Sequence, residues 1–147
     1  MNQNIPIMVM TPETKCGYCT NSKCCTYITQ KIDGPRSHDD FDHLLWQVSH
    51  HGVSVYKDSD GWYLLFETRC DHLATGGRCG IYETRPQICR DYSNDYCEFD
   101  EPAERHFKLL FNDYESLRQY REQRFRRGTR AAGSRRTKRP RRTRRSP

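Results

Sequence analysis

The sequence predicts a small α+β domain, and three observations predict it. The segment SHDDFDHLLWQVSHHG carries its apolar residues at helical spacing. The runs VSVYK and WYLLFET alternate on either side of an Asp-Gly turn. Eight cysteines punctuate loops with little regular structure of their own. The expected architecture is one β-hairpin and two main helices around irregular cysteine-rich loops, followed by a disordered basic C-terminal tail.

Charge divides the chain. From Gly128 onward, GTRAAGSRRTKRPRRTRRSP holds nine of the 25 basic residues and none of the 19 acidic ones. The first 127 residues keep 16 basic against 19 acidic side chains, so a mildly acidic body carries a cationic tail. The expected division is a domain over 1–127 and a tail over 128–147. Apolar residues make up 34% of the chain, enough for a thin core that gains from another source of stability. The N-terminus lacks the basic and apolar regions of a secretion signal, and no stretch reaches the ~18 apolar residues of a membrane span. The expected location is the cytoplasm, where clustered cysteines point to metal or redox chemistry rather than disulfide staples.

Along the chain, CCTYITQKI reads as a strand stopped by Gly34-Pro35. Ser37 caps the next helix with Asp40 three residues on, and Gly52 lies just beyond its end. Phe41, Leu44, Leu45 and Val48 form its buried stripe. The DSDG turn then joins the hairpin. Residues 70–99, with Gly76, Gly77, Gly80 and Pro86, promise only one or two short helical turns. A second main helix is expected from about Ala103 to Arg127, with Asp100 as cap and Pro102 in the first turn. Phe107, Leu110, Phe111, Tyr114 and Leu117 make its apolar face, and Gly128 ends it. Trp46 and Trp62 are expected in the core.

The cysteines fall in two groups of four: Cys16, Cys19, Cys24 and Cys25, then Cys70, Cys79, Cys89 and Cys97. The gaps in the second group are wider than a zinc knuckle, but the pairing of the groups across a helix and a hairpin points to a thiolate metal centre. Soft thiolates suit zinc, an iron–sulfur cluster or copper(I). In an extended segment Cys24 and Cys25 face opposite ways. They then serve two metals or two edges of one cluster, unless one of them is buried as a small hydrophobe. Arg69, Arg78, Arg85 and Arg90 each lie near a cysteine and could donate N–H groups to sulfur, plain surface arginine being the alternative. Ile81, Tyr82, Ile88 and Tyr92 would supply an apolar wall. A structural zinc contributes about 10–16 kcal/mol in small peptides, comparable to the net stability of a domain. His72 is a weaker ligand candidate, His50-His51 suits a helix C-terminus, and Asp71, Asp91 and Asp95 suit turn and capping roles.

The run CxxC…CC followed by C..L…G.RCGIYETRPQICRDY and a last cysteine resembles the YkgJ-type cysteine-cluster family. The matching positions are Cys16, Cys19, Cys24 and Cys25, then Cys70, Leu73, Gly77, Cys79, Ile81, Tyr82, Arg85, Pro86, Cys89, Arg90 and Cys97. The resemblance implies a zinc- or iron-chelating domain with eight cysteine ligands, and more loosely a link to flagellin lysine methylation. Methyl transfer is not carried over, because no Gly-rich strand–turn–helix is present to hold a nucleotide. TNSK places four residues between Cys19 and the adjacent pair, where the family usually has two. That departure leaves the N-terminal half looser or selective for a different metal.

The first expectation is therefore a metal-binding protein holding zinc or an iron–sulfur cluster, with irregular spacing tilting toward iron and with redox or methyl-transfer chemistry open. The second is a structural-zinc interaction protein. It would bind nucleic acid, or another acidic partner, through Arg135, Arg136, Lys138, Arg139, Arg141, Arg142, Arg144 and Arg145. That tail has no aromatic residue to stack on bases. No membrane partner is expected.

Overall fold

The computed structural model describes residues 10–136 apart from Asn21, Ser93, Asn94 and Tyr96, with no account of the side chains of Pro12, Glu13 and residues 127–136. In chain order it contains α1 (Pro12–Tyr18), a 3-10 turn (Lys23–Cys25), β1 (Tyr27–Ile32), α2 (His38–Val48), β2 (Val53–Lys57) and β3 (Trp62–Glu67). There follow a 3-10 turn (Tyr82–Thr84), α3 (Gln87–Asp91), a second such turn (Ala103–His106), β4 (Leu109–Phe111) and α4 (Tyr114–Arg136). The strands form one antiparallel sheet in the order β1-β3-β2-β4, which makes the domain α+β.

α2 begins where its capping box predicts. Ser37 Oγ accepts the Asp40 N–H at 3.1 Å and Asp40 Oδ2 accepts the Ser37 N–H at 2.8 Å. Its stripe Phe41, Leu44, Leu45 and Val48 is buried. The hairpin turns on Asp58, whose Oδ1 accepts the N–H groups of Asp60 and Gly61 at 2.7 and 2.8 Å. Val55 pairs with Leu64 and with Phe111 across the sheet, and these residues face α2 and α4. Trp62 joins them, packed so closely on Gly34 that a Cβ there would lie 2.9 Å from the indole. Trp46, by contrast, is 66% exposed on the outer side of α2, so the expectation of a core residue fails there. The amphipathic stripe had room for only one side of that helix.

The second main helix is also corrected. Residues 103–106 form a 3-10 turn, and 109–111 pair with β2 instead of continuing a helix. The Lys108 N–H donates to the Lys57 carbonyl at 2.7 Å, and Phe107 stacks on Tyr56 with ring centroids 4.1 Å apart. An unpaired edge of β2 is a stronger demand than the 3.6-residue pattern of five apolar side chains. Asp100 does not cap this helix. Asp113 does, its Oδ1 accepting the Ser116 N–H at 2.8 Å. α4 then runs through Gly128 to Arg136, so the expected helix stop falls inside it. It lies against α2 through Leu117, Tyr120 and Phe125, and Arg121 pairs with Asp42.

Candidate metal centre

The cysteines gather at the end of the sheet where β1 begins and β3 ends. Strand pairing does not stop with the strands: the Thr68 N–H donates to the Thr26 carbonyl at 3.0 Å, and the Cys70 N–H to the Cys25 carbonyl at 2.8 Å. That ladder brings a residue of the first cysteine group against one of the second. Leu73 then bridges Cys79, and the Gly80 N–H reaches the His72 carbonyl at 2.8 Å, folding Cys79 back toward Cys70. The fold-back turns at Gly76 and Gly77, both with left-handed backbones (φ +90° and +80°). Gly77 also lies so near Thr20 that a Cβ would sit 2.5 Å from the Thr20 carbonyl oxygen, and Ser22 Oγ donates to the Gly77 carbonyl. The loop before the adjacent pair and the loop before Cys79 are thus seamed together.

Cys16 and Cys19 sit in and just after α1, a helix that no feature of the sequence led us to expect. It starts with the Thr11 N–H donating to Thr14 Oγ1 at 2.9 Å, and the Ser22 N–H points at Cys19 Sγ, 3.3 Å away. Cys24 and Cys25 lie in a 3-10 turn and not in an extended segment. Successive side chains of such a turn are about 120° apart, less than on a strand, and the two thiols hydrogen-bond to each other. Cys89 is on α3, a single turn whose N–H hydrogen bonds go to Pro86.

Cys97 is held by a clasp. The buried Lys15 Nζ contacts Asp100 Oδ2 at 2.7 Å and the Asp95 carbonyl at 3.2 Å. The same Asp100 oxygen accepts the Cys97 N–H at 3.1 Å. Lys15 and Asp100 are 85 positions apart and no periodicity links them, so this pair was invisible in the sequence. Nearby, the Tyr27 hydroxyl donates to Glu98 Oε2 at 2.9 Å, with burial holding the Tyr27 hydroxyl protonated well above its usual range.

All eight cysteines are thiols, with no disulfide among them, and none is fully buried. Protein atoms crowd the Cys24 sulfur even though the residue keeps some surface in solvent. This desolvation, followed by the influence of Cys25, Cys19 and Cys16, pushes its pKa up to about 12. Burial also raises Cys25, with Cys70, Cys79 and Cys89 adding to the effect and a hydrogen bond from Cys24 opposing it. Among the described residues, no group of three or more Cys, His, Asp or Glu side chains is arranged to hold a metal ion. The donor set fits zinc or iron in kind, being soft sulfur throughout.

The expected arginines are spread through these loops. Arg69 Nη2 donates to the Leu73 carbonyl at 3.1 Å, and Arg90 reaches the carbonyls of Arg85 and Glu83 at 3.0 and 3.3 Å. Arg85 lies over the Tyr82 ring at 4.1 Å. Arg78 is exposed, its carbonyl accepting the Ala74 N–H. The apolar wall is thinner than expected: Ile88 is 79% exposed, and Tyr82 and Tyr92 also face solvent. An open cleft lined by Thr20, Thr26, Arg69, Leu73 and Gly77 runs alongside the cysteine loops. Of the tail, Arg135 and Arg136 are the last residues of α4, while Lys138, Arg139, Arg141, Arg142, Arg144 and Arg145 lie outside the described residues. Among the described residues no helix is long and apolar enough to cross a membrane.

A protein-family model named CxxCxxCC, with the description "Putative zinc- or iron-chelating domain", matches residues 15–114. No curated protein and no solved structure matches the chain.

Proposed function

Because the chain belongs to the CxxCxxCC family of zinc- or iron-chelating domains, we propose that its eight cysteines are the chelating groups. The observation that carries this reading is their common location. The segments that carry them, α1, the turn before β1 and the loops after β3, are joined by the Cys25–Cys70 backbone hydrogen bond and the Lys15–Asp100 clasp, which supports the reading. The match itself extends only to a domain that chelates zinc or iron. Bound zinc would brace the cysteine loops, and bound iron, as ions or an iron–sulfur cluster, would add a redox centre. Lys15 and Asp100 orient Cys97, Arg90 stiffens the turn before Cys89, and the cleft beside Thr20 and Arg69 gives a path of approach. Closing the shell couples metal uptake to ordering of the loops, as ligating thiols must lose their protons. Eight thiols also suit a reducing compartment such as the cytoplasm.

The test is oxygen-free purification with assay of zinc, iron and acid-labile sulfide per chain. Iron with sulfide makes the protein an iron–sulfur protein and opens redox or methyl-donor chemistry. Zinc alone makes the centre structural. Neither metal, with eight reactive thiols, refutes the proposal.

A second reading rests on the charge of the sequence from Gly128 onward, which holds nine basic residues and no acidic one. It makes the tail a salt-sensitive nucleic-acid contact. Deleting residues 128–147 should then abolish RNA or DNA binding in a gel-shift assay while the domain stays folded. Unchanged binding refutes it.

A further inference from the structure

β1 closes the sheet on one side, and no strand pairs with its outer edge. The ladder fixes which groups face that edge. The Thr68 N–H bonds the Thr26 carbonyl, and Phe66, Leu64 and Trp62 face Ile28, Gln30 and Ile32 in the same phase. The N–H and C=O groups of Tyr27, Thr29 and Lys31 therefore point away from β3, and among the described residues no other backbone group bonds them. We infer that this edge joins two copies of the chain, β1 running antiparallel to β1 of the second copy with Thr29 on the two-fold axis, so that the two sheets become one. The inference is independent of the chelating reading.

The edge is long and unguarded. β1 has six residues, whereas β4 at the other side of the sheet has three and is too short to template a strand. Residues 28–31 are all exposed. A charged side chain is the usual guard of such an edge, and the one on β1 is drawn away from it: Lys31 Nζ lies 2.7 Å from Asp60 Oδ2 and 5.8 Å from the centre of the Tyr63 ring, both on the β3 side. The helices pack over β2 and β4. Ile28, on the helix-bearing face of β1, is left 60% exposed.

The strand YITQKI suits a second copy of itself. With Thr29 on the axis, Tyr27 faces Lys31 of the other copy, Thr29 faces Thr29, and Lys31 faces Tyr27. Each such pair exchanges two backbone hydrogen bonds, so every open donor and acceptor of the strand is used. Sliding the register by two residues would leave groups at the ends unpaired. No like charges meet, because Lys31 lies across from an uncharged tyrosine with Glu67 beyond it on β3. On the helix-bearing face, Ile28 lies diagonal to Ile28 and Ile32 of the other copy, which gives its exposed side chain apolar neighbours. A strand edge buries less than the ~1,200 Å² of a stable interface, so the dimer is weak and forms as concentration rises. Cys25 lies four positions from the axis in each copy. The two cysteine regions are then about 27 Å apart along the strands, and the copies share no thiol.

The experiment is sedimentation of the full-length protein from micromolar to millimolar concentration, with reductant and nuclease present, alongside amide hydrogen exchange. The mass is expected to rise from one chain toward two. The amides of Tyr27, Thr29 and Lys31 should exchange quickly in dilute protein and about tenfold more slowly in concentrated protein, as pairing removes them from water. Thr29→Pro deletes an N–H that points away from β3, so β1 keeps its place in the sheet while the central pair is lost, and this variant should stay a single chain. Ile28→Lys changes an exposed side chain, sets two ammonium groups diagonally across the axis, and should weaken association about tenfold. It keeps the inference open to refutation should the proline variant fail to fold. A single chain at every concentration overturns the inference, as does a dimer that Ile28→Lys leaves unchanged. Slow exchange of the three amides in dilute, single-chain protein would show that another part of the same chain covers the edge, and overturns it too. A dimer that a chelator dissolves is held by metal and not by β1, which again overturns it.

Discussion

Replacing Gly77 by alanine probes the seam that holds the two cysteine-bearing loops together. Two costs are distinguishable. The first is conformational, because alanine in the left-handed region loses about 1–2 kcal/mol relative to its preferred backbone. The second is a collision. The new Cβ would lie 2.5 Å from the Thr20 carbonyl oxygen, roughly 0.9 Å inside ordinary van der Waals contact. The obstacle is backbone and cannot rotate away, so either the Thr20–Ser22 loop or the Gly77 turn must shift. Overpacking of this kind costs about 1–3 kcal/mol. Gly76 is the internal control, with φ +90° and no atom within 4 Å of the place a Cβ would take. Gly76→Ala should therefore lose only about 1–2 kcal/mol, with metal retention unchanged. Gly77→Ala should lose about 1–3 kcal/mol more and give up its metal to a chelator sooner. Urea unfolding of the purified full-length proteins, with and without a competing chelator, measures both. Equal destabilisation by the two substitutions, with equal chelator resistance, would refute the seam.

Lys15→Met removes the cation that holds Asp100 against α1, and is expected to speed metal loss to a chelator while leaving the thermal transition of the metal-free core nearly unchanged; an unaltered rate of loss would show that the clasp does not position Cys97. Metal uptake should release protons. The Cys24 thiol, raised to about 12, is protonated at neutral pH and must lose its proton to ligate, so affinity should climb about tenfold per pH unit for each proton displaced. Adding metal to weakly buffered protein and following a pH indicator checks this, and no acidification would count against Cys24 as a ligand. Glu115 is held at about 2 by its hydrogen bonds to Arg118 and Gln119, below its ordinary value of 4.5. A depressed carboxyl stabilises the fold above the unfolded value and loses that contribution as pH falls from about 4.5 toward 2. Glu115→Gln should therefore melt below the native protein at pH 7 and together with it near pH 2, as thermal melts across that range would show; a constant gap would refute the sign.

Local features were legible in the sequence wherever one element could satisfy itself. The Ser37–Asp40 box, the Phe41–Val48 stripe and the Asp58–Gly61 turn depend on residues a few positions apart, and each formed as read. The same local logic misread residues 103–113, because Phe107, Leu110, Phe111, Tyr114 and Leu117 fit a helix as well as they fit a stacked aromatic, a strand and a helix start in succession. Only the open edge of β2 separates those possibilities, and the sequence does not display which edge is open. Trp46 shows the converse: a large apolar residue is read as core until the helix proves to have one buried side.

For the candidate site, the sequence alone determined the donor chemistry: eight soft sulfurs in two groups, matched over residues 15–114 to a zinc- or iron-chelating family. The expectation that Cys24 and Cys25 face opposite ways assumed an extended segment, and the 3-10 turn instead leaves the two thiols hydrogen-bonded to each other. Which cysteine-bearing segments lie together was decided only by tertiary structure. The Cys25–Cys70 hydrogen bond and the Lys15–Asp100 ion pair join positions 45 and 85 residues apart. Contacts of that span are settled by the packing of the whole sheet, which no local spacing of cysteines encodes.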